Sequence, residues 1–355
     1  MQYIVLKSGL EIFDVARAYG LAACLYYGAG FRAPVIIDAG TVYLLEHDAE
    51  MPKHIPEECQ AGWAACFDHK HWRDVLRTYK QAQFEAKVKK ARNLLSERFG
   101  TVIEQFLLDR VIANEPSKDL ENNLETLSGA LEPTAFKGLR APTRGTYSEN
   151  QVKVGSVDWA LACLGGSLVG KYISQRTAGN KWEYYVNYWL PERVTFDGVL
   201  DLREKLRSAR LSYLGAENAA AHQAVLLAKA IRRRALTELK CTDRFSEVVF
   251  FTLFQSSQQI KPSSAGHASL SHLLKLALDP KPEAENVLNI WDYLFRRGST
   301  KGAEGLAIVV TEFVIRPNLD SYERCLKELI RYLRKGVKGE FQYDEKTLKE
   351  VMAYV

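Results

Sequence analysis

The chain has 355 residues, 47% of them hydrophobic and 26% charged, which is apolar material enough for two cored domains and excludes a chain that is disordered by default. Its formal net charge of +5 is modest and fits many functions. The opening MQYIVLKSGLEIFDV lacks the basic and apolar runs of a secretion signal, and no window reaches the about 18 uninterrupted apolar residues that span a bilayer, so neither export nor a membrane partner is expected.

Met1 to Lys7 reads as a strand, and Ser8-Gly-Leu-Glu11 matches the capping box that satisfies free N–H groups at a helix start. A helix to about Leu25 should follow, ending at Gly28-Ala-Gly30, and then a hairpin from Pro34 to Leu45 around Asp38-Ala-Gly40. From Glu57 the pattern turns helical. Val75, Leu76, Tyr79, Ala82, Ala86, Val88, Ala91, Leu94 and Leu95 mark one face of a long amphipathic segment, with Lys80, Lys87, Lys89, Lys90 and Arg92 on the other. A short helix from Val102 to Ile112 precedes a polar stretch, 113–133, that reads as a loop or linker.

Thr134 to Asn150 should be irregular or strand-like, Asp158 to Tyr172 helical, and Lys181 to Trp189 an aromatic-rich strand. From Val194 onward only helical patterns stand out, over roughly 198–214, 216–239, 243–258, 267–278, 284–297, 302–315, 319–336 and 344–354. The expected fold is α+β: an N-terminal mixed α/β domain with small antiparallel sheets over 1–193, then an all-α helical bundle over 194–355.

Catalytic constellations are sparse. Gly165-Gly-Ser-Leu-Val-Gly-Lys171 fits the start of a phosphate-binding loop, but Tyr172 stands where Ser or Thr would hold magnesium, and the preceding residues suggest a helix. A glycine-rich helix packed closely on a neighbour is the better reading. Cys59, Cys66, His69 and His71 offer four soft or borderline ligands within thirteen residues, yet their spacing matches no structural zinc pattern. No metal or other cofactor is expected, the six scattered cysteines suit reduced thiols in a cytoplasm, and the histidines form no hydrolase signature. The expectation is a binding protein rather than an enzyme, with a nucleotide- or metal-dependent hydrolase and a purely structural adaptor as alternatives.

Residues 137–181 carry the sharpest charge imbalance, with Lys137, Arg140, Arg144, Lys153, Lys171, Arg176 and Lys181 against Glu149 and Asp158. Trp182, Tyr184, Tyr185, Tyr188 and Trp189 follow at once. Lys and Arg supply affinity for phosphates, and aromatic rings offer faces to unpaired bases, although core packing is the commoner use of such rings. Further along lie three more basic runs: Arg203 to Arg210; Lys229 with Arg232, Arg233, Arg234 and Lys240; and Arg324 to Lys338. Such runs are usually solvated faces, but three in one domain are compatible with a groove along a phosphate backbone.

At this point the chain resembles the large subunit of type I CRISPR Cascade surveillance complexes, in particular the compact I-A kind. The resemblance is carried by Leu10-Glu-Ile-Phe-Asp-Val-Ala-Arg-Ala-Tyr-Gly-Leu-Ala22 before an α/β hairpin, by Phe136-Lys-Gly-Leu-Arg140, and by the stretch from Asp158-Trp-Ala through Gly165-Gly166 to Tyr185-Val-Asn-Tyr-Trp-Leu-Pro191. It is a likeness of layout across most of the chain. It implies a non-catalytic subunit that contacts the protospacer-adjacent motif in double-stranded target DNA, helps open the duplex and recruits a helicase-nuclease. The implied partners are the crRNA-bound backbone and small subunits. On that reading the 137–181 residues are candidates for motif recognition, and Arg232 to Arg234 for contact with the displaced strand.

Overall fold

The computed structural model describes residues 1–77, 81–113, 123–133, 152–176, 182–207, 209–237, 243–255, 260–298 and 304–334. The chain divides into two compact units, one of residues 1–200 with 252–263 and the other of 201–251 with 264–355. The division reached from the sequence lies at 193/194, within the last strand before the observed break.

In the first unit, β1 (Gln2–Leu6), α1 (Glu11–Gly28), β2 (Val35–Asp38) and β3 (Val42–Glu46) form the expected opening. β3 pairs antiparallel with both β1 and β2, and the β2–β3 turn works because Gly40 takes a φ of 81° that a side chain would resist. The capping box is not used. The Ser8 hydroxyl and the Ser8 and Gly9 amides all donate to the carboxylate of Asp14 at 2.8–3.0 Å, so an acid one turn inside the helix does the work expected of Ser8 and Glu11.

The predicted long helix is broken up. A 3₁₀ turn (Glu57–Cys59) leads into α2 (Gln60–Ala65), α3 (His69–Val75) and α4 (Gln81–Glu97), followed by α5 (Phe99–Glu104) and α6 (Leu108–Ile112). The stretch read as linker contains β4 (Leu124–Thr126), which pairs with β5 (Lys153–Gly155). The reason is Glu125, which is buried and receives both Lys87 and Lys90 from α4. Burial alone would raise its carboxyl, but the two lysine hydrogen bonds outweigh that and hold it below its ordinary value. The stretch 134–150, read as irregular, lies outside the described residues.

α7 (Ser156–Val169) is buried on nearly all sides, as is α1, and these two apolar helices cross as the centre of the unit. A Cβ at Gly20 would run into the backbone of Leu161, and one at Gly165 into the carbonyl of Ala16, so the crossing brings backbone against backbone. Arg17, buried on α1, links the pieces by donating to Asp14 at 2.6 Å and to Asp158 of α7 at 2.9 Å. On the other side of α1 lies the sheet, where Tyr19 donates from its hydroxyl to the Trp189 carbonyl at 2.7 Å. The strands there are β6 (Lys171–Arg176) and β7 (Trp182–Thr195), which pair antiparallel, and β7 also pairs with β2.

The second unit begins within α8 (Phe196–Arg207) and is built on α9 (Ala216–Thr237). It is not all-helical. The stretch 243–258, read as a helix, is β8 (Arg244–Gln255), and β9 (Ile260–Ser269) runs beside it. Phe245, Val248, Val249, Phe250 and Phe251 satisfy a helical period, but β-branched and aromatic residues at that density favour an extended chain. The far halves of both strands, Thr252–Gln255 and Ile260–Ser263, belong to the first unit, and the sheet order is β1-β3-β2-β7-β8-β9 with β6 beside β7. Then come α10 (Ser271–Leu278), α11 (Pro282–Gly298), α12 (Glu304–Ile315) and α13 (Leu319–Arg334), close to the predicted helices; the helix expected over 344–354 lies outside the described residues. α9 packs against α10, α11 and α12.

Candidate nucleic-acid interface

Lys137, Arg140, Arg144 and Lys181 lie outside the described residues. Lys153 is exposed on β5, at the position paired with Thr126. Lys171 and Arg176 sit at the two ends of β6, paired in register with Asn187 and Trp182. The basic segment therefore leads into a strand whose last residue is matched with the first aromatic residue of β7.

Along β7 the aromatic side chains part ways. Tyr185, Tyr188 and Trp189 are buried in the core, which accounts for most of the aromatic run. Trp182 is 39% exposed. Since side chains two apart share a strand face, Trp182 and Tyr184 lie together, their ring centroids 6.5 Å apart and their planes 13° from parallel. Arg77, just after α3, places its guanidinium carbon 4.1 Å from the centroid of the Tyr184 ring and is ion-paired with Asp74. The Tyr184 hydroxyl donates to Gln255 Oε1 at 3.1 Å, which fixes the ring. The result is an aromatic and guanidinium stack at the end of the basic segment, in which Tyr184 is buried and Trp182 is the exposed ring. Nothing in the sequence singles out Arg77; it lies over a hundred positions from Tyr184.

The arginine run of α9 has a different use. Arg232 is buried and its guanidinium donates to the carbonyls of Leu276, Asp279 and Lys281, closing the C-terminal end of α10. Arg234 is also buried, 3.1 Å from the buried carboxylate of Asp243. Neither can reach a displaced strand, so the contact role read for them gives way to a structural one. Of the three, Arg233 alone is exposed.

The other basic runs of this unit are largely matched by nearby acids. Lys205 pairs with Asp201, Arg207 with Glu204, Arg324 with Glu312, Lys327 with Glu323 and Arg331 with Glu328. Pairs of this exposed kind add little stability, but they cancel the local potential that a phosphate groove would need.

Lys229 is drawn into a buried cluster. Asp292 of α11 accepts from Lys229 at 2.5 Å, from Arg296 at 2.7 Å and from His222 Nε2 at 3.1 Å. His222 Nδ1 accepts the Ser212 amide at 2.8 Å, which makes Nε2 the protonated nitrogen facing Asp292. Burial would raise the Asp292 carboxyl, but the hydrogen bonds from His222 and Lys229 prevail and hold it at about 2. Burial pushes His222 below its ordinary value despite the Asp292 hydrogen bond. Serine, histidine and aspartate gather here, yet His222 is fully buried and Ser212 reaches it through its backbone amide, so the cluster is a brace between helices.

Gly165 and Gly166 lie inside α7 with their space filled by α1, Tyr188 and Leu131, which is the packed-helix reading and leaves no loop to cradle a phosphate. Cys59 and Cys66 are buried, the side chains of His69 and His71 lie outside the described residues, and among the described residues no three metal-ligating side chains gather. Also among the described residues, no helix is long and apolar enough to cross a membrane.

No family model matches this chain. An uncharacterized protein of the archaeon Archaeoglobus fulgidus is 26% identical over 376 aligned positions, which take in all of this chain and 98% of that protein. The likeness thus extends through both units and is not confined to one.

Proposed function

We propose that this chain is a non-catalytic, nucleic-acid-binding large subunit of a type I CRISPR surveillance complex. The observation that carries the binding part is the exposed Trp182 ring on the Tyr184 and Arg77 stack, which lies where the most basic segment of the chain enters the sheet. The assignment to the surveillance complex rests on the resemblance of layout and motifs described above. In this reading the cations of 137–181 hold the phosphates of target DNA beside the protospacer-adjacent motif, and the assembly, with its crRNA and small subunits, supplies sequence specificity. The helicase-nuclease it recruits would carry the chemistry, in the cytoplasm where the target arrives.

Co-expression with backbone subunits and guide RNA tests this directly. The chain is expected to co-purify with them, and the triple variant Lys137→Ala, Arg140→Ala, Arg144→Ala is expected to weaken target binding roughly tenfold or more at moderate salt, with a shallower salt dependence. Failure to assemble would overturn the subunit reading. Unchanged affinity of the triple variant would overturn the placement of the phosphate contacts.

A further inference from the structure

The surface at the start of β7 is shaped for a flat ring rather than for a phosphate. All six tryptophans of the chain are described; Trp182 is 39% exposed, and none of the other five exceeds 4%. Its ring runs nearly parallel to Tyr184, so another ring laid on the indole would extend an existing stack. Arg77 backs Tyr184 with the plane of its guanidinium while Asp74 neutralises its charge, so it contributes a stacking layer more than a positive potential. Tyr184 is already held by Gln255, and little side-chain freedom is left to lose when a ligand arrives. Glu183, the residue between the two rings, belongs to the opposite strand face by the two-residue period.

We infer that the exposed ring of Trp182, set parallel to the buried Tyr184 ring that Arg77 backs, forms a stacking site for an unpaired base of a single-stranded nucleic acid. A paired base inside a duplex has both faces covered by its neighbours and offers nothing to an indole. An unpaired base of any identity offers a π face, so the site takes single strands with little sequence preference. This rests on the nucleic-acid-binding reading above and adds which form of the polymer this surface accepts. Arg77 and Gln255 are positioning residues, and Trp182 makes the contact.

The test uses the full chain, tryptophan emission and three probes: a short thymidine oligonucleotide, an abasic oligonucleotide of equal length and phosphate count, and a duplex of the same length. The thymidine strand is expected to quench emission and to bind about tenfold more tightly than the abasic strand. Trp182→Ala should abolish both the quenching and the tenfold gap while leaving the melting temperature near that of the parent. Trp182→Phe should keep most of the gap. Equal binding of thymidine and abasic strands, a gap that survives Trp182→Ala, or equal quenching by the duplex would each overturn the stacking site. If the chain still assembles with guide RNA and binds target DNA in those cases, the stacking inference falls alone. A chain that neither assembles nor binds any of the probes would take the functional reading down with it.

Discussion

Two helix contacts at the centres of the two units solve the same problem by opposite means. Where α1 meets α7, side chains are removed: Gly20 and Gly165 let backbones touch in a mainly apolar contact, with the Arg17–Asp158 ion pair across it. Where α9 meets α11, charges are brought in: Asp292 collects His222, Lys229 and Arg296 in a largely buried cluster. The glycine crossing itself has no titratable part and should be indifferent to pH. A buried ionic brace holds only while its partners keep their protonation states, so this contact carries a sensitivity that the glycine crossing lacks; elsewhere in the first unit the buried Glu125, held below its ordinary value by Lys87 and Lys90, adds one only in acid.

The largest effect on this contrast should come from Asp292→Ala. It would leave Lys229 without its counter-charge and His222 Nε2–H without its acceptor, and is expected to cost roughly 4 kcal/mol. Denaturant titration should show the second unit unfolding at lower denaturant with the first unit's transition unmoved; a shared shift would mean that the two do not unfold separately. Next is Gly165→Ala, whose methyl group would collide with the Ala16 carbonyl. Even after the gain in helix propensity, a loss of roughly 3 kcal/mol is expected in the first unit. A neutral result there would show that α1 and α7 can separate at little cost.

Acid gives the smallest of the three effects and the sharpest discrimination. His272 of α10, buried beside Lys275, is held down at about 4, so the unfolded chain takes up its proton first as pH falls from about 6.5. Stability contributed by its neutral form is therefore lost between about pH 6.5 and 4, by roughly 2 to 3 kcal/mol. His222, also lowered, adds in the same direction as pH falls below its ordinary value. Asp292 acts further down: its contribution is full above about pH 4 and lost towards pH 2. Melting curves across this range should show the second unit weakening first, and His272→Phe should flatten the upper part of the slope. Parallel loss in both units would end the contrast.

Local chemistry made the first forty-six residues legible. Alternating β-branched residues, a turn glycine at Gly40 and an apolar helix between them agree with one another, and only the cap was misassigned, because Asp14 competes for the Ser8 and Gly9 donors. β8 was misread because its apolar residues fit both periods, and β9 was missed because it carries Pro262, which an edge strand tolerates. The arginines of α9 look alike in the sequence. Only the carbonyls at the end of α10 and the carboxylate of Asp243 decide that Arg232 and Arg234 turn inward. The stacking surface was half legible: the aromatic run announced rings, but their exposure depends on what covers each one.

The excursion of residues 252–263 into the first unit bears on how the protein is made. A ribosome finishes residue 200 well before it delivers the strand ends that pair beyond β7, so the nascent N-terminal region must wait with an open sheet edge while the start of the second unit is translated. A fragment stopped at residue 200 would keep that edge permanently and should be prone to pair with other copies of itself.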